Sequence, residues 1–143
     1  MVLVVDASIA AKWLFEEEGT SEALALRASA KLIAPDLLIP ECANILWKKV
    51  ARGELLEEEA RFAAGLLASA DVEVHPMRSL LASAIQLALE LNHPAYDCFY
   101  LALAVKYDCP LVTADKRFLS RAGQSRRDEV RTAAISLAQA GRL

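Results

Sequence analysis

The stretch MVLVVDASIAAKWLFEEEG, Met1 to Gly19, decides the fold. Val2 to Val5 is an unbroken β-branched and leucine run, the pattern of a strand buried on both faces, as in a parallel sheet covered by helices. Asp6 ends it. Ala7 to Glu17 then reads as a helix with Ile9, Trp13 and Leu14 at helical spacing, with Asp6 or Ser8 as its cap and Gly19 as its stop.

The same alternation continues outward. Ser21 to Ala30 reads as a helix and Leu32 to Ala34 as a short strand before Pro35. Asp36 to Arg52 is helical, with Leu38, Cys42, Ile45, Leu46 and Val50 apolar and Gly53 closing it; Pro40 blurs its start, but Glu41 lies in an early turn wherever it begins. Glu57 to Glu59 open a helix through Ala70, acids at the positive end of its dipole. Val72 to His75 is a strand, Ser79 to Leu91 an amphipathic helix broken at Asn92, and Pro94 starts a helix with eight successive apolar residues from Cys98 to Val105. Pro110 to Thr113 is a strand, Asp115 begins a helix through Leu119, and the tail is read as a strand near Val130 and a terminal helix. The expected architecture is a three-layer α/β/α sandwich around a mainly parallel sheet, with no repeat and no linker.

At 143 residues the chain has the size of one domain, 1–143, with clear motifs over 2–118 and a less readable tail over 119–143. A hydrophobic share of 55% with 24% charged residues excludes disordered and low-complexity classes. The apolar start carries no basic residues ahead of it and is interrupted by Asp6, too short for a signal-peptide core or a membrane span, so a cytoplasmic protein is expected. Cys42, Cys98 and Cys109 have neither CxxC nor Cys/His spacing, which argues against a disulfide framework or a zinc site. They read as small core residues, and Trp13 and Trp47 as core or dimer interface. His75 and His93 have no partner at ligand spacing and read as structural.

The net charge of −3 argues against nucleic-acid binding by uniform basicity. It hides a division. Residues 1–115 carry 9 Lys and Arg against 17 Asp and Glu, whereas 116–143 carry 7 against 2. Lys116, Arg117, Arg121, Arg126, Arg127 and Arg131 could contact phosphate or form a solvated face, and both readings stand.

Four acids sit in apolar surroundings: Asp6, Glu41, Asp97 and Asp115. Asp6 and Asp115 end strands, while Glu41 and Asp97 lie in opening turns of apolar helices; in an open α/β fold these places share one edge of the sheet. Each alone is explained equally well by capping or dipole complementation. Together, crowded carboxylates without basic partners raise one another's pKa unless a cation binds among them. Hard oxygen ligands select Mg²⁺ or Mn²⁺, and with phosphate as shared ligand the chemistry is phosphodiester hydrolysis by metal-activated water. Asn44 and Lys48 share a helix face with Glu41, suiting phosphate contacts. Ser8 and Thr113 place hydroxyls two residues from Asp6 and Asp115, to orient a carboxylate or simply to satisfy a cap.

The stretches VVDASIAAKWLFEEE (Val4 to Glu18), PECANILWKK (Pro40 to Lys49), YDCFYLALA (Tyr96 to Ala104) and LVTADKRF (Leu111 to Phe118) resemble, in order and spacing, the PIN-domain ribonucleases, above all the VapC-type toxins of toxin–antitoxin pairs. The resemblance covers the chain to about Phe118. It implies a Mg²⁺ or Mn²⁺ site at one sheet edge and metal-dependent, single-strand-specific endoribonuclease activity. By position it makes Asp6, Glu41, Asp97 and Asp115 the catalytic metal ligands and Ser8, Asn44 and Thr113 their polar support; Lys48, Lys116 and Arg117 are candidate RNA phosphate contacts. It further implies a homodimer and a small antitoxin whose C-terminal segment lies over the site. A catalytically silent PIN-like binding module and an aspartate-based phosphatase are the alternatives. The phosphatase fits less well, because Ser8 stands where a second aspartate would be wanted.

Overall fold

Leu3, Val4 and Val5 are wholly inaccessible to solvent, as a strand covered on both faces requires. The computed structural model describes residues 1–143. The elements run β1 (Val2–Val5), α1 (Ala7–Leu14), α2 (Thr20–Ser29), β2 (Lys31–Pro35), α3 (Leu38–Ala51), α4 (Glu57–Ala68) and β3 (Val72–His75). After a 3-10 turn at Arg78–Leu80 come α5 (Leu81–Leu91), α6 (Ala95–Tyr107), β4 (Leu111–Val112), α7 (Lys116–Gly123), α8 (Asp128–Arg131), β5 (Ala134–Ile135) and α9 (Leu137–Ala140).

All five strands are parallel, in the order β3-β2-β1-β4-β5, with Leu3 opposite Leu32 and Val5 opposite Val112. The strand order reverses at β1, whose neighbours are β2 on one side and β4 on the other. Parallel strands need crossover helices, and these form two groups, α1 to α4 with α9 and α5 to α8, giving an α/β/α sandwich. The apolar run of α6 is the central helix of its group: Cys98 and Tyr100 to Ala104 are all buried, and the helix lies against β1, β2 and β4. No helix is long and apolar enough to cross a membrane.

Two sequence expectations shift. The first helix stops at Leu14, because Glu16 to Glu18 would put three negative charges at the negative end of its dipole; instead Phe15 is extended and Lys12 turns back to Glu17 and the Glu18 carbonyl. Val130 lies in α8, not in a strand. Asp128 and Glu129 open that turn and Asp128 pairs with Arg131, so the last strand forms four residues later, at Ala134. The tail is nevertheless tied in: β5 extends the sheet and α9 packs on α2.

Candidate metal centre and nucleic-acid groove

Ligand sites of open α/β sheets lie outside the carboxyl ends of the strands, where the strand order reverses. Here that place lies between β1 and β4, and Asp6 and Asp115 leave those two strands. Asp6 caps α1: its Oδ1 accepts from the Ser8 amide at 3.0 Å, the Ser8 hydroxyl at 2.5 Å and the Ile9 amide at 3.3 Å. Ser8 Oγ in turn accepts from the Ala114 amide at 2.9 Å, so the exit of β4 is fastened to the exit of β1. Asp6 is only 5% exposed. Burial pushes its carboxyl up to about 6, against the pull of the Ser8 and Thr113 hydroxyls, and the Asp97 charge adds to the rise.

Glu41, in the first turn of α3, accepts from the Tyr100 hydroxyl at 2.6 Å across the interface with α6. Its carboxyl is also raised, chiefly by burial and further by Asp97, with the Tyr100 hydrogen bond opposing. Asp97 lies in the first turn of α6, where its Oδ2 meets His93 Nε2 at 2.6 Å. Asp115 caps α7 through the Phe118 amide at 3.1 Å, and its own amide donates to Thr113 Oγ1. One ligand atom each of His93, Asp97 and Asp115 lies within 4.8 Å of the others. Asp97 is therefore the hub: Asp115 and His93 are beside it, and its field reaches Asp6 and Glu41. None of the four acids forms an ion pair with a lysine or arginine.

Glu41, Asn44, Lys48 and the exposed Tyr96 line one groove of about 470 Å³. Lys48, like Lys116 and Arg117 at the exposed start of α7, forms no ion pair. Three other arginines of the basic tail are less free than their sequence indicates. Arg127 pairs with Glu90 and Glu129, Arg131 with Asp128, and Arg121 turns inward to the Asn92 carbonyl.

Cys42 and Cys98 are buried, and burial pushes both thiols up to about 12, which leaves no thiolate for catalysis. Trp13 is in the core, its indole N–H donating to the Ala23 carbonyl; Trp47 is 64% exposed and has no place there.

Tyr100 and His93 were not foreseen at the site, and Arg121, read as a phosphate contact or part of a solvated face, turns instead to the Asn92 carbonyl and His93. Tyr100 follows Asp97 by three residues on α6, a spacing that puts them on one helix face, whereas His93 stands in the turn before that helix. A search for metal-ligand spacing between histidines and cysteines passes over a histidine whose partner is a carboxylate.

The PIN-domain family model matches residues 3–124. The chain belongs to the PIN-domain family. Among PIN proteins it is 37% identical over 127 residues to Ribonuclease VapC3 of Pyrobaculum aerophilum, an alignment spanning 85% of this chain and 95% of the relative. Its fold is shared by VapC20 of Mycobacterium tuberculosis, a toxin that cleaves the sarcin-ricin loop, with a TM-score of 0.65, 16% identity and coverage of 82% and 94%. VapBC2 of Rickettsia felis, crystallised on a promoter DNA fragment, shows the same fold with a TM-score of 0.67, 12% identity and coverage of 95% and 98%. The four stretches that resemble PIN ribonucleases all fall within the matched region.

Proposed function

We infer that this PIN-domain chain, acting as one unit over residues 1–143, is a Mg²⁺- or Mn²⁺-dependent endoribonuclease and the toxin of a toxin–antitoxin pair. The observation that carries this reading is that Asp97 lies beside Asp115 while its charge reaches the buried Asp6 and Glu41, with no lysine or arginine paired to any of the four and two of them raised by burial and by the Asp97 charge. Oxygen donors of this kind fit a hard divalent cation, and the cost of leaving them unpaired supplies the affinity. Asp6, Glu41, Asp97 and Asp115 would hold it.

When bound, the cation lowers the pKa of water for attack on phosphorus and stabilises the leaving oxygen. The chain does the rest. Ser8 and the Ile9 amide fix the Asp6 carboxylate, Tyr100 fixes Glu41, and Thr113 braces the Asp115 turn. Asn44 and Lys48 in the groove, with Lys116 and Arg117 at α7, bind the flanking RNA phosphates.

The relatives' names support a small antitoxin as partner. The exposed apolar side chains Trp47, Leu56 and Phe62 on and beside α3 and α4 give such a partner a surface. Leu81, Ile85 and Leu89, exposed at four-residue spacing along α5, suit a homodimer. The cytoplasm is the compartment this function requires.

The test is cleavage of a panel of structured RNAs by the purified chain, beside a phosphomonoester. RNA cut with Mg²⁺, intact with chelator and intact with Asp6→Asn is the expected result. Phosphomonoester hydrolysis with intact RNA would move the chain to the phosphatases, and no turnover of either would leave a binding module.

A further inference from the structure

Beyond the four acids and their hydroxyl partners Ser8, Tyr100 and Thr113, a buried imidazole touches the centre. We propose that His93 is the positioning residue of Asp97, with its tautomer set by Arg121. The inference rests on the cation reading above, since it concerns how one carboxylate is presented to the metal.

His93 is 7% exposed and stands between α5 and α6, on a turn made by Asn92 in the left-handed region at φ 49°. Its backbone amide returns to the Ala88 carbonyl and its ring stacks on Phe118, with centroids 4.6 Å apart and planes at 27°. Both ring nitrogens are engaged. Nε2 is 2.6 Å from Asp97 Oδ2, and Nδ1 is 3.5 Å from Arg121 Nη1, which also donates to the Asn92 carbonyl.

An ionised Asp97 carboxylate only accepts and the Arg121 guanidinium only donates, so the neutral ring that suits both neighbours carries its proton on Nε2. That N–H donates to Asp97. Two consequences follow. Nε2 has no lone pair to offer a cation, although a ring nitrogen of His93 lies within 4.8 Å of ligand oxygens of Asp97 and Asp115. And Oδ2 is held by the imidazole while no protein donor engages Oδ1, so the carboxylate is locked in one orientation with one oxygen to give. Such orienting partners typically contribute 10- to 100-fold in metal affinity or activity.

The full chain is assayed as wild type, His93→Phe, His93→Gln and Arg121→Met, after removal of metal and measurement of the melting temperature. Phenylalanine keeps the ring on Phe118 but donates nothing; glutamine restores an N–H near the position of Nε2. By calorimetric titration with Mn²⁺, His93→Phe should bind about 10- to 100-fold more weakly than wild type. His93→Gln should recover to within a few-fold, and Arg121→Met should fall between them. Pulsed electron paramagnetic resonance of the wild-type Mn²⁺ complex should show no directly bonded nitrogen.

Unchanged affinity in a folded His93→Phe reduces the ring to packing and overturns the proposal. So does a bonded nitrogen, or a glutamine variant as weak as phenylalanine, because the imidazole would then be a ligand. If His93→Phe does not fold, unchanged affinity in Arg121→Met overturns the tautomer argument by itself. A wild type that binds no Mn²⁺ refutes the cation reading instead, an outcome distinct from the others.

Discussion

The two flanks of Asp97 are built from different chemistry. On the β1 flank, Asp6 and Glu41 receive only uncharged donors, the Ser8 hydroxyl with two amides and the Tyr100 hydroxyl, and burial raises both carboxyls. On the β4 flank, Asp97 meets an imidazole backed by a guanidinium, and Asp115 is a partly exposed helix cap. On the cation reading proposed above, the first flank stores unfavourable charge that a bound cation would relieve, and the second would set direction. On that reading the difference separates residues whose loss would remove the reason for metal binding from residues whose loss would misaim it.

Asp97 serves both flanks, so its replacement should have the largest effect. Asp97→Asn is expected to lower Mg²⁺-dependent RNA cleavage by about 100-fold or more and to relieve growth arrest in cells expressing the chain. Cleavage within tenfold of wild type would remove Asp97 from its central place. Glu41→Gln should weaken Mn²⁺ binding and cleavage by about tenfold, since one ligand charge is lost while Tyr100 keeps an acceptor. Tyr100→Phe should cost about 1 kcal/mol of stability in denaturant melts and less activity than Glu41→Gln. The reverse ranking would make the Tyr100 hydroxyl, not the carboxylate, the functional group. The smallest effect is expected outside both flanks. Lys48→Ala should raise KM a few-fold at low salt, vanishing at high salt, with kcat unchanged, as a phosphate contact should.

The elements that place the acids were legible because each carries a local signature. A run such as VLVV forms a parallel strand in almost any context where helices cover it, and the aspartates that follow strands are capping residues whichever function they serve. Asp6 and Asp115 were found for that reason and lie where the strand order reverses. The eight-residue apolar run was legible as a buried helix, which put Asp97 in its first turn. Less visible was whatever depends on two distant segments meeting. Tyr100 and Glu41 are 59 residues apart and Arg121 and His93 are 28 apart, and no periodicity announces either contact. The basic tail shows the same limit in reverse. Its arginines cluster in sequence, but Asp128 and Glu129 are local partners of Arg131 and Arg127, while Glu90 and the Asn92 carbonyl, which claim Arg127 and Arg121, come within reach only through the fold.

The central claim is that the carboxylates at this sheet edge form a cation site, and melting of the full chain with and without divalent metal tests it most directly. With a folded pKa near 6 against about 3.8 unfolded, Asp6 favours the folded state while protonated. In the metal-free chain its cost therefore appears as pH rises from about 4 to 6 and reaches about 3 kcal/mol above that. Asp6→Asn, which can still cap α1, should accordingly melt higher than wild type in chelator at pH 7. Saturating Mg²⁺ or Mn²⁺ should raise wild type by about 5–10 °C and leave Asp6→Asn nearly unmoved. A wild-type melting temperature unchanged between chelator and 100-fold the expected metal requirement, or an Asp6→Asn chain stabilised by metal as much as wild type, would contradict the account.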